Sequence, residues 1–123
     1  KIIPESLEVK ANNVLLQQVL VNLIGNALQS LDGQEKRYVY ISAQRRRRQI
    51  MVAVEDTGKG IAKEHINHIF EPFYTTKTSG EGLGLGLTIT ERIIKDMNGS
   101  ISVVNTGSGA RFEFFLEEAH KHE

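Results

Sequence analysis

Cysteine is absent from the chain. That excludes a disulfide framework and any thiolate metal site, and it fits a reducing compartment. A net charge is missing too. Fifteen basic and fifteen acidic side chains cancel, so no global field favours nucleic acid or an anionic membrane surface. No apolar run approaches the ~20 residues needed to span a bilayer, and the first residues do not read as a signal peptide. No internal repeat or low-complexity segment interrupts the chain. What is present is ordinary in composition: 40% hydrophobic and 24% charged residues over 123 positions. That describes one soluble globular domain, able to bury roughly two thirds of its unfolded surface without staples.

Periodicity divides the chain into elements. Over residues 13–31, Leu16, Val19, Leu20, Leu23, Ile24, Ala27 and Leu31 recur at helical spacing, with Asn12 or Asn13 as a cap. Asp32-Gly33 stops this helix. Residues 38–43 and 50–54 are rich in β-branched and aromatic side chains and predict two strands. The polar residues 44–49 between them, including Arg45, Arg46, Arg47 and Arg48, suit an exposed hairpin turn rather than a nucleic-acid patch. Residues 56–86 are punctuated by glycine and predict a long loop with one short helix near 63–69. So long a connection in so small a domain is usually a functional lid. Helical spacing returns from Leu85 to Met97 and ends at Asn98-Gly99, and residues 100–104 and 111–116 predict two more strands. The absence of regular βαβ alternation implies a largely antiparallel sheet with helices on one face.

Four stretches carry candidate chemistry. Asn22 and Asn26 lie one turn apart on the same face of the first helix. Amide oxygens are suitable hard ligands for magnesium, although such amides also serve simply as solvated or backbone-bonded groups. Asp56-Thr57-Gly58-Lys59-Gly60-Ile61 follows directly on a strand. Its carboxylate can accept a hydrogen bond from an exocyclic amino group, and its glycines let the backbone pass close to a flat ring. The same residues equally suit a tight turn. Gly80-Glu81-Gly82-Leu83-Gly84-Leu85-Gly86-Leu87-Thr88 leads into a helix, presenting backbone N–H groups and a positive helix end, as phosphate sites do. It is neither a Walker loop nor a dinucleotide fingerprint. Phe70-Glu71-Pro72-Phe73-Tyr74 sets three aromatics in a polar loop, as a hinge or as a plain anchor to the core. Lys77 follows as a candidate phosphate contact or a solvated lysine.

Taken in order, these boxes and the glycine turn at residues 107–109 resemble the histidine-kinase branch of the gyrase, Hsp90, histidine kinase and MutL ATPase superfamily. The resemblance covers nearly the whole chain. The wording NALQS, EPFYTTK and GEGLGLGLT is most similar to the nitrogen-regulation and C4-dicarboxylate sensor kinases. It implies an α+β fold, the Bergerat-type two-layer α/β sandwich, with a mixed, mostly antiparallel sheet, helices on one face and an ATP lid. It implies ATP and Mg2+ as cofactors, with Asn26 the principal magnesium ligand and Asn22 assisting the metal or phosphates. Asp56 would accept the adenine amino hydrogen, and Gly58, Gly60 and Ile61 would shape the base pocket. Phe70 and Phe73 would hinge the lid. Lys77, Gly82, Leu83, Gly84, Leu85, Gly86, Leu87 and Thr88 would surround the phosphates.

The resemblance also implies a reaction: transfer of the γ-phosphoryl group to a histidine on a separate helical hairpin of the parent kinase, with a response regulator downstream. An anti-sigma-type serine kinase and a nucleotide-sensing module share the fold and stand as alternatives. Related hydrolases place a glutamate where this chain has Asn22, and an amide has no comparable basicity, which favours a kinase over an autonomous ATPase. Two positions depart from the common pattern. Gln29 stands where many such kinases have Lys or Arg, and Ala110 where many have Thr. None of His65, His68, His120 and His122 has the context of an acceptor histidine. The chain therefore reads as a cytoplasmic catalytic fragment, residues 1–123, of an inner-membrane or soluble sensor kinase. No nucleic-acid partner and no direct membrane contact are expected.

Overall fold

The structure is a computed structural model and describes residues 13–72 and 86–117. Its first element, α1, runs from Asn13 to Ser30. Val19, Leu23, Ala27 and Leu31 recur every four residues and are all buried, so one stripe of the helix faces the core. The helix unwinds through Leu31 and Asp32, whose amides bond back to Leu28 and Gln29. Gly33 then turns the chain at φ 79°, a conformation L side chains rarely adopt.

Strands β1 (Val39–Arg46) and β2 (Gln49–Asp56) form a hairpin. Arg46 pairs with Gln49, so only Arg47 and Arg48 make the turn. The connection is shorter than the polar stretch 44–49 suggested. Strand pairing uses backbone groups, and the ladder continues beneath polar side chains as readily as beneath apolar ones. Arg47 absorbs the reversal at φ 59°. After β2 comes a single helical turn, α2 (Lys63–Ile66), prolonged by turn bonds from His68 to His65 and from Glu71 to His68.

Helix α3 spans Gly86–Asp96 and buries Thr90, Ile93 and Ile94. Its end divides the work of Asn98 and Gly99. Asn98 takes the left-handed conformation at φ 62°, while its amide bonds to Lys95 O and that of Gly99 to Ile94 O, a Schellman closure. Gly99 is needed for contact: a Cβ there would overlap the carbonyl oxygen of Phe115. Strands β3 (Ser100–Asn105) and β4 (Ala110–Glu117) complete the sheet in the order β1-β2-β4-β3. All three pairings among the described residues are antiparallel, so no parallel member of the expected mixed sheet lies there.

Both long helices cover one face of the sheet, α1 over β1 and β2, α3 over β3 and β4, and they pack against each other. Phe112, Phe114 and Leu116 alternate inward from β4 to meet Val19, Leu23, Val54, Ile93 and Ile94. On the other face Arg111 bridges Glu113 at 2.7 Å and Glu55 at 3.1 Å. These partners, Glu113 foremost, raise the guanidinium pKa against the opposing effect of burial. No helix among the described residues is long and apolar enough to cross a membrane.

Phe114 is fully buried at the centre of the core, so Phe114→Ala should lower unfolding free energy by about 3–5 kcal/mol in urea titrations. Arg47→Gly should raise it by about 0.5–1 kcal/mol. Relief of the left-handed strain exceeds the added unfolded-state entropy, and an unchanged urea midpoint would count against strain at the turn.

Candidate functional site

Asp56 ends β2 on the helix-facing side of the sheet, and only 2% of it reaches solvent. A buried carboxylate is costly unless it is bonded. Here Oδ1 accepts the Gly58 N–H at 2.8 Å and the Ser30 hydroxyl at 3.3 Å. Both bonds fall on Oδ1, which leaves Oδ2 as the acceptor for an incoming N–H. The carboxylate is thus anchored by one oxygen and able to read a ligand with the other.

The glycines around it have a packing reason beyond the ring contact or tight turn that the sequence left open. A Cβ on Gly58 would overlap both the hydroxyl and the carbonyl oxygen of Ser30. One on Gly109 would overlap the carbonyl oxygen of Asp56. These two positions are demanded by the chain's own packing around the carboxylate, before any ring is considered. Gly86 is the contrast: a Cβ there meets nothing within 4 Å, so no protein neighbour requires the glycine.

The two asparagines of α1 differ in their surroundings. Both ends of the Asn22 amide are engaged: Oδ1 accepts from Gln18 at 2.8 Å, and Nδ2 donates to Thr90 Oγ1 at 3.1 Å and Gly86 O at 3.3 Å. Thr90 is completely buried, and its own hydroxyl donates a hydrogen bond to Gly86 O at 2.8 Å. The first turn of α3 is thereby tied to α1 through Asn22. Asn26, half-buried one turn on, has no side-chain hydrogen bond among the described residues, so its amide oxygen remains for a ligand.

Thr88 donates to Phe70 O at 2.8 Å, which joins the aromatic loop to the same turn of α3. Phe70 meets Phe112 edge-on with ring centroids 6.3 Å apart, the plain anchoring that was one of its two readings. Leu87 and Ile61 pack against the core with their side chains, so what they offer a ligand is backbone and wall. Phe73, Lys77, Gly82, Leu83, Gly84 and Leu85 lie outside the described residues. An open groove is lined by the 58–61 loop itself together with Lys36, Tyr38, Tyr40, Asn105 and the glycine turn; it includes neither Asn22 nor Asn26. Among the described histidines, His68 pairs with Glu71 at 2.7 Å on the surface.

Sequence reasoning missed Ser30, Thr90 and Asn105. Asn105 holds both backbone groups of Ile61, at 2.8 and 2.6 Å. The bond from Gly58 to Asp56, only two residues apart, was accessible from turn chemistry. The others had no local signal.

The family described as histidine kinase-, DNA gyrase B- and HSP90-like ATPase matches residues 11–120. The chain is 36% identical over 116 residues to the C4-dicarboxylate transport sensor protein DctB of Rhizobium meliloti, covering 94% of this chain and 18% of that protein. It is 39% identical over 110 residues to the sensor histidine kinase ZraS of Escherichia coli, covering 89% of this chain and 23% of that protein. The chain therefore spans about a fifth of the length of these curated relatives. Among solved structures, the catalytic domain of histidine kinase ThkA superposes with a TM-score of 0.82 at 33% identity, over 95% of this chain and 76% of that one. Full-length ShkA in complex with AMPPNP gives a TM-score of 0.81 at 32% identity, over 96% of this chain and 24% of that one. With its buried strand-end aspartate, its paired asparagines and these matches along nearly its whole length, the chain belongs to the histidine kinase-, DNA gyrase B- and HSP90-like ATPase family, as a catalytic domain of the histidine kinase type.

Proposed function

We propose that this domain binds Mg-ATP and transfers the γ-phosphoryl group to a histidine on a separate helical hairpin of its parent kinase. The observation that carries the reading is Asp56, held by one carboxylate oxygen with the other available to the adenine amino group. Gly58, Gly60 and Ile61 form the wall beside it. The AMPPNP complex of ShkA supports a nucleotide ligand, and the complex of ThkA with the response regulator TrrA supports a place in two-component signalling.

The residues present fit magnesium. No group of three or more His, Cys, Asp or Glu could hold a metal among the described residues, so the protein supplies neutral amide oxygen and little charge. That suits a cation that keeps waters and takes phosphate oxygens as ligands. Asn26 would be the ligand. Asn22 braces α3, and the second lone pair of its amide oxygen would assist. Bound magnesium would offset charge on the phosphate oxygens. The chain's own part is positioning: the braced N-terminal turn of α3 faces the phosphates, with Gly82, Gly84, Gly86 and Lys77 contributing donors. An amide at position 22 cannot take a proton from water, whereas an imidazole nucleophile needs no such help. Transfer to histidine is thus favoured over hydrolysis.

Asp56→Asn should weaken ADP and ATP binding by about 1–3 kcal/mol in calorimetry, through loss of a charge-assisted hydrogen bond. Unchanged affinity would remove Asp56 from the base site. Radiolabelled ATP should leave the domain alone unlabelled and give an acid-labile, base-stable label on an added acceptor hairpin of the parent. Asn26→Ala should abolish that label. Rapid phosphate release by the domain alone, or an acid-stable label on serine, would overturn the assignment.

A further inference from the structure

We infer that Asn105, through its grip on Ile61, is the positioning residue that sets base selectivity at the Asp56 site. The inference rests on the nucleotide reading above and names how that site keeps its shape.

The loop between β2 and α2 has little backbone support. Thr57 N bonds to Tyr38 O, and the next backbone bonds are those from His65 and Ile66 to Ala62 O. Among the described residues, no backbone–backbone bond reaches residues 58–61. Side chains hold this loop instead. At its start Asp56 Oδ1 accepts from Gly58 N. At its end Asn105 Oδ1 accepts from Ile61 N at 2.8 Å, while Asn105 Nδ2 donates to Ile61 O at 2.6 Å. The two bonds admit only one orientation of the amide, because the oxygen must face the N–H and the nitrogen the carbonyl. A single exposed side chain thus satisfies both backbone groups of one loop residue, as a β-ladder partner would.

Asn105 can act this way because its own position is fixed. It ends β3, paired with Ala110 at the start of β4. The turn between them is closed by Thr106 N on Gly109 O at 3.0 Å and passes through Gly107 at φ 88°. The same turn touches the other end of the loop, since Gly109 packs directly against the Asp56 carbonyl. A Cβ on Gly60, itself at φ 74°, would lie 3.0 Å from Asn105 Oδ1. One five-residue turn therefore brackets the loop, with Gly109 at the carboxylate and Asn105 at Ile61.

Selectivity follows from that spacing. A carboxylate accepts from the 6-amino group of adenine and repels the 6-carbonyl of guanine. It can do so only while Ile61 keeps the base in register with Oδ2. If the loop slackens, water fits between base and carboxylate, and the preference for an amino group over a carbonyl is lost.

Two measurements on the free and nucleotide-bound domain test this. Amide exchange at Ile61 should be slow without nucleotide and at least about tenfold faster in Asn105→Ala, with Phe114 unchanged, as expected for loss of a local bond rather than of the fold. In calorimetry the ADP/GDP affinity ratio should fall by about tenfold in Asn105→Ala, mostly through weaker ADP binding. Asn105→Asp retains the acceptor for Ile61 N–H and should fall between wild type and Asn105→Ala; it also carries both readouts if the alanine variant does not fold. Wild-type exchange at Ile61 in either variant, or equal weakening of ADP and GDP, overturns the role of Asn105. A wild-type domain that binds neither nucleotide overturns the nucleotide reading itself, whatever Ile61 does.

Discussion

Asp56 places a carboxylate where almost none of it reaches water, and the surrounding structure is arranged to make that tolerable. Its Oδ1 draws in the last residue of α1 through the Ser30 hydroxyl and the loop after β2 through Gly58 N. Gly58 and Gly109 must lack side chains for Ser30 and the β3–β4 turn to come that close. Helix α1, strand β2 and the β3–β4 hairpin therefore converge on one ionisable group. A residue that only bound a ligand would not need three elements to seal it. Both of its bonds fall on Oδ1, and the proposed function assigns the other oxygen to a ligand.

A second tie acts at the other end of the site. Asn22, Thr90 and Gly86 O form a closed set of bonds between α1 and the first turn of α3. Its buried threonine hydroxyl serves both helices, donating to Gly86 O within α3 and accepting from Asn22 of α1, which a valine of the same shape could not do. With both ties in place, the two helices are held relative to each other at the first turn of α3 and relative to the sheet at Asp56, the two places to which the proposed function assigns the phosphates and the base. That is the rigidity a positioning mechanism requires, because phosphoryl transfer depends on alignment and charge more than on protein-derived nucleophiles or bases.

Likeness to DctB, ZraS and ThkA fits this division of labour. The chain covers about a fifth of the first two and most of the ThkA catalytic domain, as expected of a unit that supplies the nucleotide and its geometry. Under the proposed function an amide at Asn22 suits such a unit, because it cannot take a proton from water.

The sequence by itself determined the elements and the family. Helical periodicity located α1 and α3, runs of β-branched and aromatic residues located the four strands, and the ordered boxes pointed to the nucleotide chemistry, because each of these signals is local and repeated. It overestimated the β1–β2 turn, since polarity marks exposure and not the end of a ladder. It offered Gly58 a flat ring or a tight turn and gave no sign of Ser30, since no sequence shows which atom a missing Cβ makes room for. Tertiary structure alone decided the ties: Ser30 to Asp56 across 26 positions, Asn105 to Ile61 across 44 and Asn22 to Thr90 across 68. Serine, threonine and asparagine look the same in a sequence whether they face water or clamp a distant backbone. Only the folded chain brings the partner close enough to distinguish the two.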